Sequence, residues 1–296
     1  MIDEIHLKFS PESLFVLNLC LGFIMFGIAL HLKIKDFREI LLRPKPVYVG
    51  LFSQLVFLPF ITIVLIYLLK PSPSLALGMI LVSACPGGNV SNFLSHLAKA
   101  NTALSVSLTS AITLLCVFTT PFIFTFLSGL LPDEVNYNKD FSLSFLDMFQ
   151  SILYLILIPV SFGITFSHRF PRTTTKITKP IQILSLLIFM AFILIAFFNN
   201  FDFFLRFIHI IAGMVFIHNA LALFGGYVLG KAFFLPENDA RTISIETGIQ
   251  NSGLGLVLIF NFFDGLGGMS LIAAFWGVWH LVSGLCLAAW WARRNP

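Results

Sequence analysis

The chain has 296 residues, of which 57% are apolar and only 11% carry a charge, and its mean hydropathy is +0.93. Soluble domains average about 25% charged residues, so this composition excludes a water-soluble globular protein and indicates an integral membrane protein. The net charge of +4 predicts no nucleic-acid partner, because the basic residues lie between apolar segments.

Nine apolar segments are long enough to cross a bilayer, whose hydrocarbon core of ~30 Å needs about 20 apolar residues per helix. They are predicted at residues 13–32, 46–69, 75–98, 101–129, 142–167, 179–199, 204–232, 240–263 and 269–292. Short loops join them, and no soluble domain interrupts them. The sequence therefore predicts a single, all-α, multi-pass membrane domain over residues 1–296, with the lipid bilayer as its solvent.

The orientation follows from the basic residues, which collect in cytoplasmic loops of membrane proteins. With nine spans, fourteen Lys and Arg residues fall on one side, and only Lys8, Lys70, Lys139 and Arg206 fall on the other. We expect the amino terminus outside, the carboxyl terminus in the cytoplasm, and the protein in the cell (inner) membrane.

The third segment, "LALGMILVSACPGGNVSNFLSHLAKA", contains Pro86-Gly87-Gly88 in its middle. Proline removes a main-chain donor and clashes with the preceding turn, and glycine adds backbone freedom, so we predict a broken helix. Asn89, Ser91 and Asn92 follow at once and are expected to cap the second half-helix.

The eighth segment is interrupted in the same way, between Glu246 and Gly255. Gly248 lies between Glu246 and Gln250, and Asn251 and Ser252 follow. The two broken segments lie five spans apart, so they run in opposite directions through the membrane. Interruptions at corresponding places in two halves are typical of inverted-repeat transporters, whose substrate and ion sites lie at the breaks.

Glu246 is the most costly of these polar residues, because an acidic side chain at mid-helix costs ~2.5–3.5 kcal/mol on insertion scales. Carboxylate, amide, hydroxyl and main-chain oxygens suit a hard cation, which would offset this cost. The alternative is a hydrogen-bond network between helices that binds no ion.

The sequence resembles the bile acid:sodium symporter family in "CPGGNVSNFLSHLAKANTALSVSLTS" (85–110) and "ETGIQNSGLG" (246–255). "GLFSQLVFLP" (50–59), "FIHNALAL" (216–223) and "FWGVWHLVSGLCLAAWW" (275–291) also match. The resemblance implies two crossing broken helices, a core domain (46–129 and 204–292) and a panel domain (13–32, 142–167 and 179–199). Substrate would bind between core and panel.

The resemblance also implies two sodium sites as coupling-ion sites. The first would use Ser91, Asn92, Ser105, Thr109 and Glu246, and the second Gln54, Glu246, Gln250 and the carbonyls of Thr247 and Ile249. Ser105 and Thr109 are four residues apart, which places them on one helix face. Asn89 and Asn251 would contact the substrate, although the family usually has threonine where Asn89 stands.

The expected function is sodium-coupled import of an organic anion, bile-acid-like or a smaller carboxylate, by alternating access, with no enzymatic activity and no protein partner. Three alternatives remain open. A proton-coupled or arsenite-efflux-like carrier would depend on a cysteine near the first break, where Cys85 stands. A channel or receptor would not accumulate substrate. Ser283, three residues after His280, admits a weak case for an intramembrane hydrolase.

The four cysteines, Cys20, Cys85, Cys116 and Cys286, lie far apart in separate apolar segments without a CxxC spacing. The sequence therefore predicts neither a disulfide framework nor a zinc site, and no metal other than sodium.

Overall fold

The computed structural model describes residues 2–4, 11–30, 44–131, 145–199 and 201–294. Residues 31–43 and 132–144 carry much of the charge that predicts the orientation, and they lie outside the described residues. The ends of two predicted segments, at 31–32 and 142–144, lie outside them as well.

The described residues form eleven longer helices, a short 3₁₀ helix at Ile2–Glu4 and no β-strand. The helices are α1 (Pro11–Ala29), α2 (Pro44–Leu69), α3 (Pro73–Ala84), α4 (Val90–Leu97), α5 (Thr102–Ser128), α6 (Phe145–Arg169), α7 (Pro171–Asn199), α8 (Phe201–Ala232), α9 (Glu237–Gly248), α10 (Ser252–Phe262) and α11 (Gly267–Ala292). Each predicted segment overlaps one helix or one of the pairs α3–α4 and α9–α10, and α7 begins at Pro171, ahead of the predicted residue 179. Both predicted breaks are present.

Five of these helices, α2, α5, α6, α8 and α11, are long and apolar enough to cross a bilayer, and α3, α10 and most of α1 are shorter apolar helices. The chain is therefore an all-α polytopic membrane protein, as its composition predicts. The breaks explain why α3 and α10 are short: each is one half of an interrupted segment.

Two of the long helices widen for one π turn just before a proline. The π turns are Ser53–Phe57 in α2 and Leu153–Leu157 in α6, and Pro59 and Pro159 follow them by two residues. A proline inside a helix has no N–H and clashes with the carbonyl four residues earlier, and a wider turn relieves the clash. In α2 this turn contains Gln54, and the side chain is buried.

The helices pack in two groups, and glycines lie at helix contacts in both. In the first group, α1 meets α6 and α7: a Cβ on Gly163 would lie 2.6 Å from the Ala29 side chain, and one on Gly27 would lie 2.8 Å from Ile181. In the second group, Gly78 brings α3 against Met269 of α11, and Gly226 brings α8 against α9. Only glycine permits such close approach of two helices.

The two groups also touch through an amide pair on α1 and α10. Asn18 donates to the Asn261 side-chain oxygen at 3.1 Å, and Asn261 donates back at 2.9 Å. Asn261 also donates to the Val257 carbonyl at 2.8 Å, which fixes the orientation of its amide.

Arg241 forms hydrogen bonds with the ends of three helices, α4, α9 and α11, at the predicted cytoplasmic side. It is buried, and it donates to the carbonyls of Ala98 and Trp291 and to the Glu237 carboxylate. Burial raises the pKa of the Glu237 carboxyl, but hydrogen bonds from Arg241, Tyr227 and Lys231 lower it more, so the net shift is downward. This carboxylate therefore stabilises the fold above its ordinary pKa, and the contribution is lost as pH falls through the lowered value.

Candidate cation and substrate site

The two broken segments cross at their breaks. The Gly88 N–H donates to the Ile249 carbonyl at 2.9 Å, and the Asn251 N–H donates to the Pro86 carbonyl at 2.8 Å. The two stretches run antiparallel there, which agrees with the opposite directions predicted for the segments. A Cβ on Gly88 would lie 3.1 Å from the Gln250 carbonyl oxygen. A side chain at residue 88 would push the Gln250 carbonyl away by a few tenths of an ångström, so glycine favours this close crossing.

The Glu246 carboxylate lies at this crossing, fully buried among hydroxyl groups. Ser91 and Ser105 each approach one of its oxygens at 2.5 Å, and Thr109 lies 3.1 Å from both. The Gln54 amide adds a longer contact at 3.4 Å. In the described part of the chain, no cationic side chain contacts this carboxylate.

The group around Glu246 has more acceptor oxygens than protons. Asn92 presents its side-chain oxygen to the Ser105 hydroxyl at 2.9 Å and to the Thr109 hydroxyl at 3.4 Å. Each hydroxyl has one proton, so Ser105 cannot donate to both Asn92 and Glu246. Six oxygens, from Ser91, Asn92, Ser105, Thr109 and the two of Glu246, thus converge at the crossing with fewer protons than acceptors among them. This arrangement favours a hard cation.

The residues expected for a second ion also lie together at the crossing. However, the side-chain amides of Gln54 and Gln250 direct their nitrogens, and not their oxygens, at the main-chain carbonyls there. Gln54 donates to the Glu246 carbonyl at 2.6 Å, and Gln250 donates to the Thr247 carbonyl at 2.9 Å. The Ile249 carbonyl is taken by the Gly88 N–H. Both amide oxygens are buried and have no hydrogen-bond partner among the described residues. If the side-chain amides of Gln54 and Gln250 each rotated by half a turn, their oxygens would take the positions that their nitrogens occupy now.

Among the described residues, no group of three or more His, Cys, Asp or Glu side chains could hold a metal ion. The oxygen atoms at the crossing come mainly from hydroxyls, amides and the main chain. Such ligands suit an alkali or alkaline-earth ion better than a transition metal.

Three residues that the sequence analysis did not assign to the site hold the end of α9. The Asn219 amide donates to the Gly248 carbonyl at 2.8 Å, and the Ser283 hydroxyl donates to the Asn219 oxygen at 2.6 Å. The Ser53 and Thr247 hydroxyls lie 2.7 Å apart. In the sequence, the indication of this role was Asn219, a polar residue within the apolar segment "FIHNALAL" (216–223). The resemblance to the family did not assign this residue to the site.

The contacts of Ser283 do not support the alternative of an intramembrane hydrolase. Its hydroxyl donates to Asn219 and, more weakly, to the carbonyl of His280 at 3.3 Å, and not to the imidazole. The serine therefore has no general base in contact with it.

A cavity of about 330 Å³ lies beside the crossing, between α1, α7 and the two breaks. Its residues are mostly apolar on α1 and α4 and more polar at the breaks; they are Leu21, Ile24, Gly27, Ile28, Gly88, Asn89, Val90, Phe93, Ser185, Ile249, Gln250, Asn251, Ser252, Gly253 and His280. Among the described residues, no Lys or Arg lines it. An apolar cavity with a few convergent polar groups is the usual form of a small-molecule site.

The two half-helices α4 and α10 begin at this cavity. Asn251 caps α10 by accepting from the Leu254 N–H at 3.0 Å. Asn89 precedes α4 but makes no capping hydrogen bond, so the expectation that its side chain caps the helix is wrong. Its backbone is already helical, with φ −59° and ψ −20°, whereas a capping side chain usually needs an extended backbone at that residue. The Asn89 side chain is consequently available to the cavity, which it lines.

A family model described as the sodium bile acid symporter family matches residues 18–207, which is well over half of the chain. The chain belongs to this family.

Proteins similar to this symporter-family chain come from bacteria, plants and animals. A Bacillus subtilis (strain 168) protein named "uncharacterized sodium-dependent transporter YocS" is 33% identical over 97% of this chain and 88% of its own length. A rice protein, "probable sodium/metabolite cotransporter BASS2, chloroplastic" from Oryza sativa subsp. japonica, is 31% identical over 93% of this chain. The rat "sodium/bile acid cotransporter 5" is 27% identical over 87% of it. This chain spans 63% of the rice protein and 58% of the rat protein.

Proposed function

We propose that this protein is a secondary active symporter that couples sodium to the import of a small organic anion by alternating access. The observation that carries the proposal is the buried Glu246 carboxylate, surrounded by hydroxyl and amide oxygens at the crossing of two broken helices. The names of the relatives, which specify sodium-dependent transport, point the same way.

Two sodium ions would share Glu246. The first would bind among Ser91, Asn92, Ser105, Thr109 and Glu246, whose oxygens already converge. The second would bind at Gln54, Glu246 and Gln250 and the carbonyls of Thr247 and Ile249, after the two amides turn. Each ion would offset part of the cost of burying the single charge of Glu246.

The substrate would occupy the adjacent cavity, with its carboxylate at the beginnings of α4 and α10. Helix N-termini present free N–H groups and partial positive charge, so they can hold an anion without a Lys or Arg side chain. Asn89 and Asn251 flank this position. Two sodium ions and a monoanion would move one positive charge inward, which the membrane potential drives by about 2.3 kcal/mol per 100 mV.

Alternating access would move the panel group, α1, α6 and α7, against the core group of the remaining helices. In the predicted orientation, with the carboxyl terminus in the cytoplasm, the cavity lies toward the inner half of the membrane. The alternative, an arsenite-efflux-like carrier, requires that Cys85 contact the substrate. Cys85 is buried and does not line the cavity, which favours the sodium reading.

The decisive experiment measures uptake in vesicles that contain the purified protein. Accumulation of an organic anion should occur with external sodium and stop when choline replaces sodium at constant ionic strength. A collapse of the proton gradient at constant sodium should leave it nearly unchanged. Accumulation that survives in choline but fails without a proton gradient would favour the proton-coupled carrier. Equilibration without accumulation would favour a channel.

The Asn18–Asn261 pair is proposed to hold the outer side of the cavity closed. It lies beyond the cavity, about 13 Å along α10 from Ser252 at 1.5 Å per residue. The double variant Asn18→Asp, Asn261→Asp places two acceptors, and two like charges, face to face. We expect external, membrane-impermeant thiol reagent to label Ser252→Cys several-fold faster in this background, with Cys20 and Cys286 replaced by serine.

The single variant Asn18→Asp is the matched control, because its carboxylate still accepts from the Asn261 amide. It should label close to the unmodified rate. Equal rates in the double and single variants would contradict a closing role for the pair.

A further inference from the structure

Three exposed cationic residues lie together at the predicted cytoplasmic end of the core group, around the buried Arg241. The Arg241 Nη1 atom lies 3.2 Å from the Ala98 carbonyl oxygen and 3.4 Å from the Arg294 carbonyl oxygen. Lys99 follows Ala98 in the chain, so these contacts place it beside the end of α11. Lys99, Arg293 and Arg294 are all exposed, and we call these three residues the basic patch.

The carboxylates that α9 places near the basic patch have other partners. Glu237 pairs with Arg241 at 3.0 Å and with Lys231 at 3.3 Å. Asp239 is fully buried and accepts from the Asn101 amide at 2.7 Å. Within the described residues, no carboxylate forms an ion pair with a cation of the basic patch. Its three positive charges are therefore available to an external anion.

The basic patch lies at the depth of the lipid headgroups. Helix α11 has 26 residues, which is about 39 Å at 1.5 Å per residue, whereas the hydrocarbon core of a bilayer is ~30 Å thick. Its end therefore reaches the polar layer. Trp290 in the last turn of α11 is 48% exposed, and Phe234, just beyond the end of α8, is 90% exposed. Exposed aromatic side chains at helix ends are typical of the membrane interface.

Arg294 and Trp290 together form a surface that is both cationic and apolar. The Arg294 guanidinium lies over the Trp290 ring, 4.1 Å from its centroid. Attraction to the ring face orients the guanidinium and leaves its N–H edges free to donate. Such an edge matches two oxygens of one phosphate group. A free phosphate would use the charges alone, whereas a phospholipid would also cover the exposed ring.

We propose that the basic patch binds the phosphate group of an anionic phospholipid, with the Trp290 indole beside the glycerol and the first acyl carbons of that lipid. A lipid bound there contacts the ends of α4 and α11 and, through the carbonyls that Arg241 holds, lies next to α9. It therefore stabilises the inner end of the core group. This site is separate from the sodium sites and the substrate cavity of the proposed function.

The test measures lipid binding to the purified, delipidated full chain by native mass spectrometry in a neutral detergent. The probes are phosphatidylglycerol, phosphatidylcholine and inorganic phosphate. The wild type should bind one phosphatidylglycerol molecule about tenfold more tightly than phosphatidylcholine, because the anionic headgroup lacks a positive charge that would repel the patch. Inorganic phosphate at the same concentration should not displace the lipid.

Replacement of all three cations of the basic patch by glutamine should weaken phosphatidylglycerol binding about tenfold and leave phosphatidylcholine binding unchanged. The single variant Arg294→Gln should fold readily, because the residue lies beyond the end of α11, and should give about a threefold loss. The matched control replaces Arg172, Lys176 and Lys179 by glutamine. These exposed residues lie on the same predicted side, in a helix without tryptophan, and their loss should leave the tight binding intact.

Trp290→Phe tests whether the bound anion is a lipid at this position. Phosphatidylglycerol with brominated acyl chains should quench the tryptophan fluorescence of the wild type more than brominated phosphatidylcholine does. The variant should lose that difference.

Equal losses in the patch variant and the control variant would reduce the effect to a general attraction between cations and an anionic surface, and would overturn the site. Displacement by inorganic phosphate would identify a site for soluble anions and would overturn the lipid assignment. A quenching difference that survives in Trp290→Phe would place the lipid elsewhere and would overturn it as well.

Discussion

Glu246→Gln should abolish the sodium-dependent rise in melting temperature of the purified protein. Both proposed sodium sites use this carboxylate, and glutamine keeps its shape but removes the charge that attracts the ions. An ion at about 100 times its dissociation constant stabilises the native state by ~2.7 kcal/mol, which corresponds to roughly 5 °C. Melting curves against sodium chloride, with potassium chloride at equal ionic strength as reference, measure the effect.

Glu237→Gln is the matched control on the same helix. The chemical change is identical, but Glu237 pairs with Arg241 and Lys231 at the beginning of α9, at the opposite terminus from Glu246, and contacts neither proposed site. It should keep the full sodium shift, even if its melting temperature is lower. A full sodium shift in Glu246→Gln would contradict the site and favour a proton carrier or a purely structural carboxylate.

Two further variants separate the sites. Ser105→Ala removes a hydroxyl that contacts only the first group, and Gln250→Ala removes an amide of the second. Each should weaken one sodium-binding step and leave part of the shift, whereas Glu246→Gln should remove both. Equal and complete losses in all three variants would indicate a single site.

Gly87→Ala should lower sodium affinity by about tenfold, or ~1.4 kcal/mol, with little loss of stability in the absence of sodium. A methyl group on Gly87 would lie 3.2 Å from the Gln54 amide nitrogen and 3.3 Å from a Glu246 carboxylate oxygen. Both atoms end flexible side chains that can move aside, so the fold tolerates the change. The displaced atoms are the ones that would bind sodium, so the ion loses its ligands. Sodium titrations of melting temperature, with and without the substitution, measure both effects.

Gly213→Ala is the control for this experiment, because a Cβ there meets nothing within 4 Å. It should leave the sodium titration unchanged. A Gly87→Ala protein that loses stability without sodium, but keeps its sodium affinity, would indicate that the glycine serves the helix crossing alone.

The broken helices were predictable because their causes lie within one turn of chain. Pro86 removes a main-chain donor, and Gly87, Gly88 and Gly248 loosen the backbone wherever they occur. The placement of Ser105 and Thr109 on one face was predictable for the same reason, since helix periodicity is local. The second break needed no proline, and its position at residues 249–251 still agrees with the prediction.

The hydrogen bonds between residues far apart in the chain were not predictable in this way. Asn219 reaches Gly248 across 29 residues, and Asn18 reaches Asn261 across 243. No periodicity within one segment specifies such a pair, because it depends on how far each helix is rotated and tilted against its neighbour.

The sequence by itself determined the membrane class, the positions of the helices, the two breaks and the residue types offered at them. Only the tertiary structure decided which hydroxyls surround Glu246, which amides hold the carbonyls of α9, and that Asn89 does not cap its helix. It also decided that Lys99 lies beside the end of α11. The physical reason is that helix formation depends on neighbours along the chain, whereas these contacts depend on interhelical distance, which glycines such as Gly27 and Gly88 set through packing.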